Sequence, residues 1–293
     1  MALEHDIQPL GSHRCLLGES PLWHPVEQCL YAVDIPGRQV LRWREGADAP
    51  DVWPQDAEPG SIAARSAGGL LVARRDGLWT LDTKTGAQTL LALPPYDPER
   101  LRFNDGKVDR EGNFWVGSIS DARMPEAALY EFDGCVFNAE VHGLTTANGL
   151  AWSPDGRRMY WSDTKAHRIY VADSSNPSTA RVFAEFKARV PGAAYGGRPD
   201  GAAMDAEGCY WAAMFEGGCL LRIAPTGEVV QRIDLPATCP TMPTFGGADL
   251  RTLFITTARE KRPVEELESQ PLAGAVLQLR VDVPGIPAIL TSA

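Results

Sequence analysis

The sequence lacks any long apolar segment. Its first residues, MALEHDIQPLGSH, contain neither the basic stretch nor the apolar core of an export leader. No later stretch approaches the roughly 20 apolar residues that a membrane-spanning helix needs. Because both signals are missing, we expect a cytoplasmic protein that does not associate with a membrane.

Closely spaced cysteines are also missing. The six cysteines are scattered along the chain of 293 residues and include no CxxC pair. They are Cys15, Cys29, Cys135, Cys209, Cys219 and Cys239. This spacing favours neither a zinc knuckle nor a compact disulfide framework, so we expect free and mostly buried thiols.

Basic residues and covalent nucleophile motifs are scarce. The 28 lysines and arginines stand against 38 aspartates and glutamates, and the formal net charge of −10 disfavours a nucleic-acid partner. No G-x-S-x-G elbow occurs, since the nearest match, GESPL, places Ser20 before a proline. The five histidines include no close pair. We therefore expect a site that works without a covalent enzyme intermediate.

Strand signals fill the chain, whereas the only candidate helix is a short one around Pro263 to Ser269. One plan recurs six times: a short apolar strand, an Asp/Gly turn and an aromatic strand. The six units are 19–34, 60–74, 104–118, 148–163, 200–214 and 242–257. Their spacing of 41 to 52 residues is typical of four-stranded propeller blades. The sequence predicts an all-β fold, a six-bladed β-propeller around a central channel, as a single domain over residues 1–293.

A propeller must also join its first and last blades, because an open sheet edge would remain exposed. The segment HDIQPLGSHRCLL (His5–Leu17) precedes the first unit, and GAVLQLRVDV (Gly274–Val283) follows the last. We therefore expect the N-terminal segment to complete the sixth sheet.

One position of the repeat is unusually polar. Within GGRPDGAAMDAEGCYWAAM, Asp205 fits a hairpin turn, but Asp200 stands at the start of a strand, where no turn needs it. The equivalent residues of the six units are Glu19, Gly60, Asn104, Asn148, Asp200 and Met242. Because first strands line a propeller channel, these side chains should converge on its axis. Two carboxylates and an amide there predict a divalent cation bound by Glu19, Asn148 and Asp200, and oxygen ligands suit calcium, magnesium or manganese.

The chain resembles the senescence-marker/regucalcin/gluconolactonase family of six-bladed propellers. The resemblance covers nearly the whole chain and rests on LLGESPLW, RFNDGKVDREGNFWVGS, ANGLAWSPDGRRMYWSD, RPDGAAMDAEGCYWAAM and FGGADLRTLFITTAR. It implies one divalent metal ion (Ca, Mn, Mg, Zn or Fe(II)) on Glu19, Asn148 and Asp200. It also implies substrate contacts from Arg102 and Asn104. Some family members carry an acidic pair that reaches sugar hydroxyls; here the segment reads ISDARMPEAALYEF, and Asp121 is the candidate in its place.

The leading functional hypothesis is hydrolysis of a small sugar lactone, with the ion polarising the carbonyl and Asp200 as general base. Arg102 and Asn104 would orient the ring. Two alternatives stay open: an organophosphate or aryl esterase that uses the same metal, and a non-enzymatic calcium-binding regulator or scaffold. The expected assembly state is a monomer or a weak homo-oligomer.

Overall fold

The structure is a computed structural model that describes residues 6–293. It consists almost entirely of antiparallel strands. In chain order the elements are β1 (Gln8–Pro9), β2 (Gly18–His24), β3 (Cys29–Asp34), β4 (Gln39–Trp43), β5 (Asp51–Pro54), β6 (Pro59–Ala64), β7 (Leu70–Arg74), β8 (Gly77–Leu81), β9 (Gln88–Ala92), β10 (Leu101–Val108), β11 (Phe114–Ser120), β12 (Ala127–Phe132), β13 (Phe137–Leu144), β14 (Ala147–Trp152), β15 (Arg158–Asp163), β16 (Arg168–Asp173), β17 (Asn176–Glu185), β18 (Arg198–Met204), β19 (Tyr210–Phe215), β20 (Cys219–Ile223), β21 (Val229–Asp234), β22 (Pro240–Gly246), β23 (Thr252–Thr257), α1 (Val264–Ser269) and β24 (Leu277–Arg280).

These strands form six four-stranded sheets. Five sheets follow the chain without interruption: β2 to β5, β6 to β9, β10 to β13, β14 to β17 and β18 to β21. The first strands of successive sheets contact each other in a closed circle, from β2 through β6, β10, β14 and β18 to β22 and back to β2. The predicted six-bladed β-propeller is therefore confirmed, as is the short helix α1. No helix of the described residues is long and apolar enough to cross a bilayer.

The sixth blade is completed by the N-terminus, as predicted. Its strand order is β1-β24-β23-β22, and Gln8 and Pro9 of β1 pair with Gln278 and Leu277 of β24. Hydrogen bonds of this ladder join the two ends of the chain and remove the free edge of β24. His5, the first residue of the predicted closing segment, lies outside the described residues.

The core lies between the blades. Six apolar clusters each join one blade to the next, so both faces of the second strands are buried. This explains why β3, β11 and β19 read as near-continuous apolar runs. Trp115, Trp161 and Trp211 pack in these layers, as expected. Five of the six free cysteines are buried as well, and only Cys135 is exposed.

The two ends of the channel differ. The C-terminal segment after β24 crosses the end where the first strands finish, with Gly285 bridged to Asp205 and Thr291 bridged to Arg65. Residues 286–289 cover an apolar chamber of about 120 Å³ beneath that crossing. The opposite end, where the first strands begin, holds the positions that the repeat alignment singled out.

Asp205 supports the hairpin of the fifth blade from a fully buried position. Its carboxylate accepts hydrogen bonds from the amide groups of Glu207 and Cys209, from Nε1 of Trp211 (2.9 Å) and from Nε of Arg222 (2.8 Å). The predicted turn role is confirmed, and the carboxylate also ties the turn to two neighbouring strands.

We predict that Asp205→Ala lowers the free energy of unfolding by about 3 kcal/mol, because several buried donors lose their shared acceptor. Urea unfolding followed by tryptophan fluorescence measures the change. Asp155→Ala is the matched control, since Asp155 occupies the equivalent turn of the fourth blade but is exposed. Equal effects of the two substitutions would contradict the prediction.

Candidate active site

A cavity of about 220 Å³ opens at the channel end where the first strands begin. Its walls combine acidic, amide and basic side chains with a few apolar ones. The lining residues are Leu17, Glu19, Arg102, Asn104, Ile119, Arg123, Thr146, Asn148, Thr164, Lys165, Arg198, Asp200 and Phe215. Five of the six residues proposed from the sequence for metal or substrate therefore share one cavity.

Irregular pairing turns these side chains toward the axis. In all six blades the register of the first strand against the second shifts near the repeat position, for example between Glu19 and Leu22 and between Asn148 and Ala151. A bulge of this kind re-aims side chains at the end of a strand. The other two ring positions hold no ligand atom: a Cβ on Gly60 would lie 2.3 Å from the carbonyl oxygen of Phe103, and Met242 is apolar.

Glu19 is buried, and hydrogen bonds compensate its carboxylate only weakly. Its Oε2 accepts one long hydrogen bond (3.4 Å) from the amide of Ser20, which has a left-handed backbone (φ 48°). The Ser20 hydroxyl accepts from the Ile62 amide at 3.0 Å and so ties this bulge to the second blade. Burial, together with the neighbouring charges of Asp200 and Asp105, raises the pKa of Glu19 well above its ordinary value.

Asn148 connects the proposed ligand Asp200 to Asn104. Its Nδ2 donates to Oδ1 of Asp200 and to Oγ1 of Thr164 (2.8 Å), and its Oδ1 accepts from Nδ2 of Asn104. Asp200 is 6% exposed, and burial raises its pKa to about 7, although Arg198 opposes that shift. The Asn148 amide thus lies between Asp200 and Asn104 without adding charge.

Arg102 and Asn104 form a hydrogen-bonded pair beside this group. The Arg102 guanidinium donates to Oδ1 of Asn104 and to the carbonyl oxygen of Phe103, both at 2.9 Å, and Nδ2 of Asn104 donates to the carbonyl of Ala147 at 3.0 Å. Burial lowers the pKa of Arg102, and repulsion from Arg75 and Arg123 adds a smaller lowering. Asn104 therefore links Arg102 to Asn148, and these three side chains form one continuous polar wall of the cavity.

Asp105 is a buried carboxyl group that the repeat alignment did not single out. Its Oδ2 accepts from the Leu150 amide (3.0 Å), whereas Oδ1 has no partner among the described residues. Lys107 compensates part of this charge from deeper in the channel, where its Nζ donates to the carbonyl of Ala202 at 2.8 Å. Burial raises the pKa of Asp105 and lowers that of Lys107. The position of Asp105 directly after Asn104 in RFNDGK was the available signal.

Asp121 lies outside the cavity lining. Its carboxylate pairs with Arg75 (2.9 Å), which also pairs with Glu58. Arg123, two residues further along the same turn, does line the cavity. The proposed substrate contact of Asp121 stays a prediction.

The charges of the cavity are segregated by depth. Glu19, Asn148 and Asp200 are buried, whereas Arg123 and Lys165 are exposed at the mouth. Neither Glu19 nor Asp200 belongs to an ion pair of the described residues. Within residues 6–293 no three histidine, cysteine or acidic side chains gather as a ligand group, so the candidate set depends on the amide of Asn148. Two buried acids without a basic partner form an environment that a hard divalent cation would stabilise.

Comparisons with known proteins agree with this architecture. The sequence model of one family, described as the SMP-30/Gluconolactonase/LRE-like region, matches residues 17–259. The chain is 42% identical to the 6-deoxy-6-sulfogluconolactonase of Pseudomonas putida over 277 residues, which is 92% of this chain and 93% of that protein. It is 30% identical to the regucalcin of Gallus gallus, with 96% of each chain covered. A crystal structure of a calcium-binding protein, regucalcin, from Agrobacterium tumefaciens superposes with a TM-score of 0.89 at 27% identity, with 96% of each chain covered.

We predict that the metal-free protein loses stability as the pH rises. The folded state raises the pKa of Asp200 to about 7, so it holds this proton more tightly than the unfolded chain does. Stability from this group is therefore complete below pH about 4 and is lost between about pH 4 and 7. The free energy of unfolding, measured with urea in the presence of a chelator, should be about 2 kcal/mol higher at pH 5 than at pH 7.5 because of this group.

Asp200→Asn should remove that part of the pH dependence and raise the stability of the chelated protein at pH 7.5. The exposed control Asp155→Asn should leave the pH dependence as it is in the wild type. The prediction is wrong if wild type and Asp200→Asn lose stability equally between the two pH values.

Proposed function

The chain belongs to the SMP-30/gluconolactonase/LRE-like family, and on that premise we propose that it is a lactonase that hydrolyses a sugar lactone to the aldonic acid. The observation that carries the proposal is the buried group of Glu19, Asn148 and Asp200 beside the Arg102 and Asn104 pair. An ion buffer would need only the first three residues. The second pair supplies directional donors for a bound molecule.

We assign one divalent cation to Glu19, Asn148 and Asp200. When bound, it supplies Lewis-acid polarisation of the lactone carbonyl. The two carboxylates balance its charge, and an all-oxygen ligand set suits calcium, magnesium or manganese. As the side chains stand, Asn148 directs its NH2 group at Asp200, so binding through the amide oxygen requires this amide to turn over.

Asp200 serves as the general base in this proposal. It accepts a proton from the water whose oxygen bonds to the lactone carbonyl carbon. The bond between that carbon and the ring oxygen then breaks, and the proton returns to the ring oxygen as it becomes a hydroxyl. The Thr164 hydroxyl holds the Asp200 carboxylate in place through the first of these transfers.

Arg102 and Asn104 position the substrate. Their mutual hydrogen bond, and the bond from Asn104 to the Ala147 carbonyl, restrict both side chains before a ligand arrives. Such preorganisation lowers the entropic cost of holding a sugar ring in a reactive orientation. The remaining donors of the Arg102 guanidinium are available for ring hydroxyls.

The identity of the sugar, the location in the cell and the assembly state stay predictions. The name of the Pseudomonas putida relative refers to a six-carbon sugar lactone, which supports a hexonolactone of some kind here. The esterase and calcium-regulator alternatives use the same acidic residues as the lactonase. The esterase would hydrolyse organophosphates or aryl esters, and the regulator would bind calcium without turnover. A cytoplasmic location, a monomeric or weakly oligomeric state and a single domain are likewise expectations from the sequence.

We predict metal-dependent lactone opening that Asp200→Asn reduces at least about 100-fold, because the substitution removes both the base and a ligand charge. A pH indicator would follow acid release from a panel of aldonolactones. Chelator-treated protein would be assayed alone and with calcium, magnesium, manganese, zinc or iron(II) restored.

Asp155→Asn is the matched control, because it makes the same chemical change at an exposed turn outside the cavity. It should retain wild-type rates. If no lactone opens faster than its spontaneous rate with any of these ions, while calorimetry still detects ion binding, the lactonase proposal is wrong and the calcium-binding alternative gains support.

A further inference from the structure

Three basic side chains surround the mouth of the cavity. Arg123, Lys165 and Arg198, which we call the basic rim, line the same cavity as Glu19 and Asp200. Arg123 follows β11, Lys165 follows β15 and Arg198 begins β18, so three blades contribute one residue each. None of these positions belongs to the polar ring of the repeat alignment.

Two members of the basic rim have no acidic partner. Arg198 pairs with Glu216 at 3.1 Å and lies over the ring of Phe215. Arg123 and Lys165 are exposed, and neither forms an ion pair with any described residue. Their charges therefore stay available at the entrance.

The distribution is unusual for so acidic a chain. The formal net charge of −10 would lead one to expect an acidic or mixed rim. In the cavity, a divalent cation would balance Glu19 and Asp200, and Arg198 shares Glu216 with Arg189 and Arg262. Arg102, Arg123 and Lys165 then remain as uncompensated positive charges around the space that the substrate must fill. A neutral sugar lactone would use Arg102 as a donor to its ring hydroxyls but would leave the charges of Arg123 and Lys165 unused.

We propose that the substrate is a sugar lactone with an oxyanion substituent, namely a sulfonate, a phosphate or a carboxylate, and that Arg123 and Lys165 bind this group. The proposal rests on the lactonase function proposed above. Because the acidic group is deep and the basic rim is at the mouth, the lactone carbonyl faces inward. The oxyanion therefore belongs on the carbon farthest from that carbonyl.

The residue types suit this role. A guanidinium offers a planar fork of donors to two oxygens of an oxyanion, and an ammonium adds a compact charge with three donors. The cavity volume of about 220 Å³ favours a single sugar ring over a longer saccharide. Arg123 and Lys165 are specificity residues in this arrangement, since the bond-breaking step takes place deeper in the channel.

The test compares kcat/KM for glucono-1,5-lactone with kcat/KM for its 6-sulfo-6-deoxy, 6-phospho and 6-carboxylate counterparts, using metal-restored protein. We expect at least one anionic lactone to be preferred about 10-fold or more, and the three arms identify which oxyanion is used. Arg123→Gln and Lys165→Gln should each lower this preference about 10-fold, mainly through KM.

Arg157→Gln is the control, because Arg157 is exposed in a turn outside the cavity and should leave the preference unchanged. Added KCl should raise KM for the preferred anionic lactone more than KM for the neutral one, since salt screens exposed charges. The inference is overturned if all four lactones react equally, or if the rim substitutions change neutral and anionic substrates by the same factor.

Failure of the underlying lactonase proposal would look different, because no lactone would be opened at all. In that case, calorimetry with gluconate and 6-deoxy-6-sulfogluconate still tests whether Arg123 and Lys165 bind an oxyanion. Tighter binding of the sulfonated acid, lost in Arg123→Gln and Lys165→Gln, would support an oxyanion site at the mouth. Equal affinity for both acids would overturn it.

Discussion

Closure of six blades into a ring is the constraint on which the rest of the structure depends. It brings the first strand of every blade to one axis, so residues that are more than 40 positions apart, such as Asn104 and Asn148, come within hydrogen-bond distance. The ring is held by apolar layers between neighbouring blades and by the pairing of β1 with β24. Because these layers are extensive, the fold tolerates polar and charged groups at the axis that would destabilise a smaller core.

Those axial groups form a repulsive arrangement in the protein by itself. Glu19, Asp105 and Asp200 are all buried, and burial raises the pKa of each. Lys107 offsets part of this charge from deeper in the channel, and the Asn148 amide donates a hydrogen bond to Asp200 without adding to it. The divalent cation proposed for this site would relieve the repulsion and would so couple ion binding to the stability of the whole ring.

The channel is also asymmetric along its axis, and this asymmetry orients the proposed chemistry. The C-terminal segment covers one end with an apolar chamber, so access is from the end where Glu19, Asn148 and Asp200 lie. Above them the basic rim of Arg123, Lys165 and Arg198 surrounds the entrance. A molecule with an electrophilic carbonyl at one end and an anion at the other matches this order of charges from floor to mouth.

The sequence by itself determined the blade count, the turn role of Asp205 and the candidate residues Glu19, Asn104, Asn148 and Asp200, because each lies in a local pattern that repeats at blade spacing. Arg102 became a candidate through the family resemblance alone. Asp105 escaped that reasoning, since its neighbour Asn104 occupied the repeat position. Only the tertiary structure decided that Asp121 pairs with Arg75 while Arg123 reaches the cavity, and that Lys165 and Arg198 join it from other blades. Arg123 and Lys165 lie in loops, whose side chains carry no period, so their meeting point with Arg198 depends on how the ring closes rather than on any local signal.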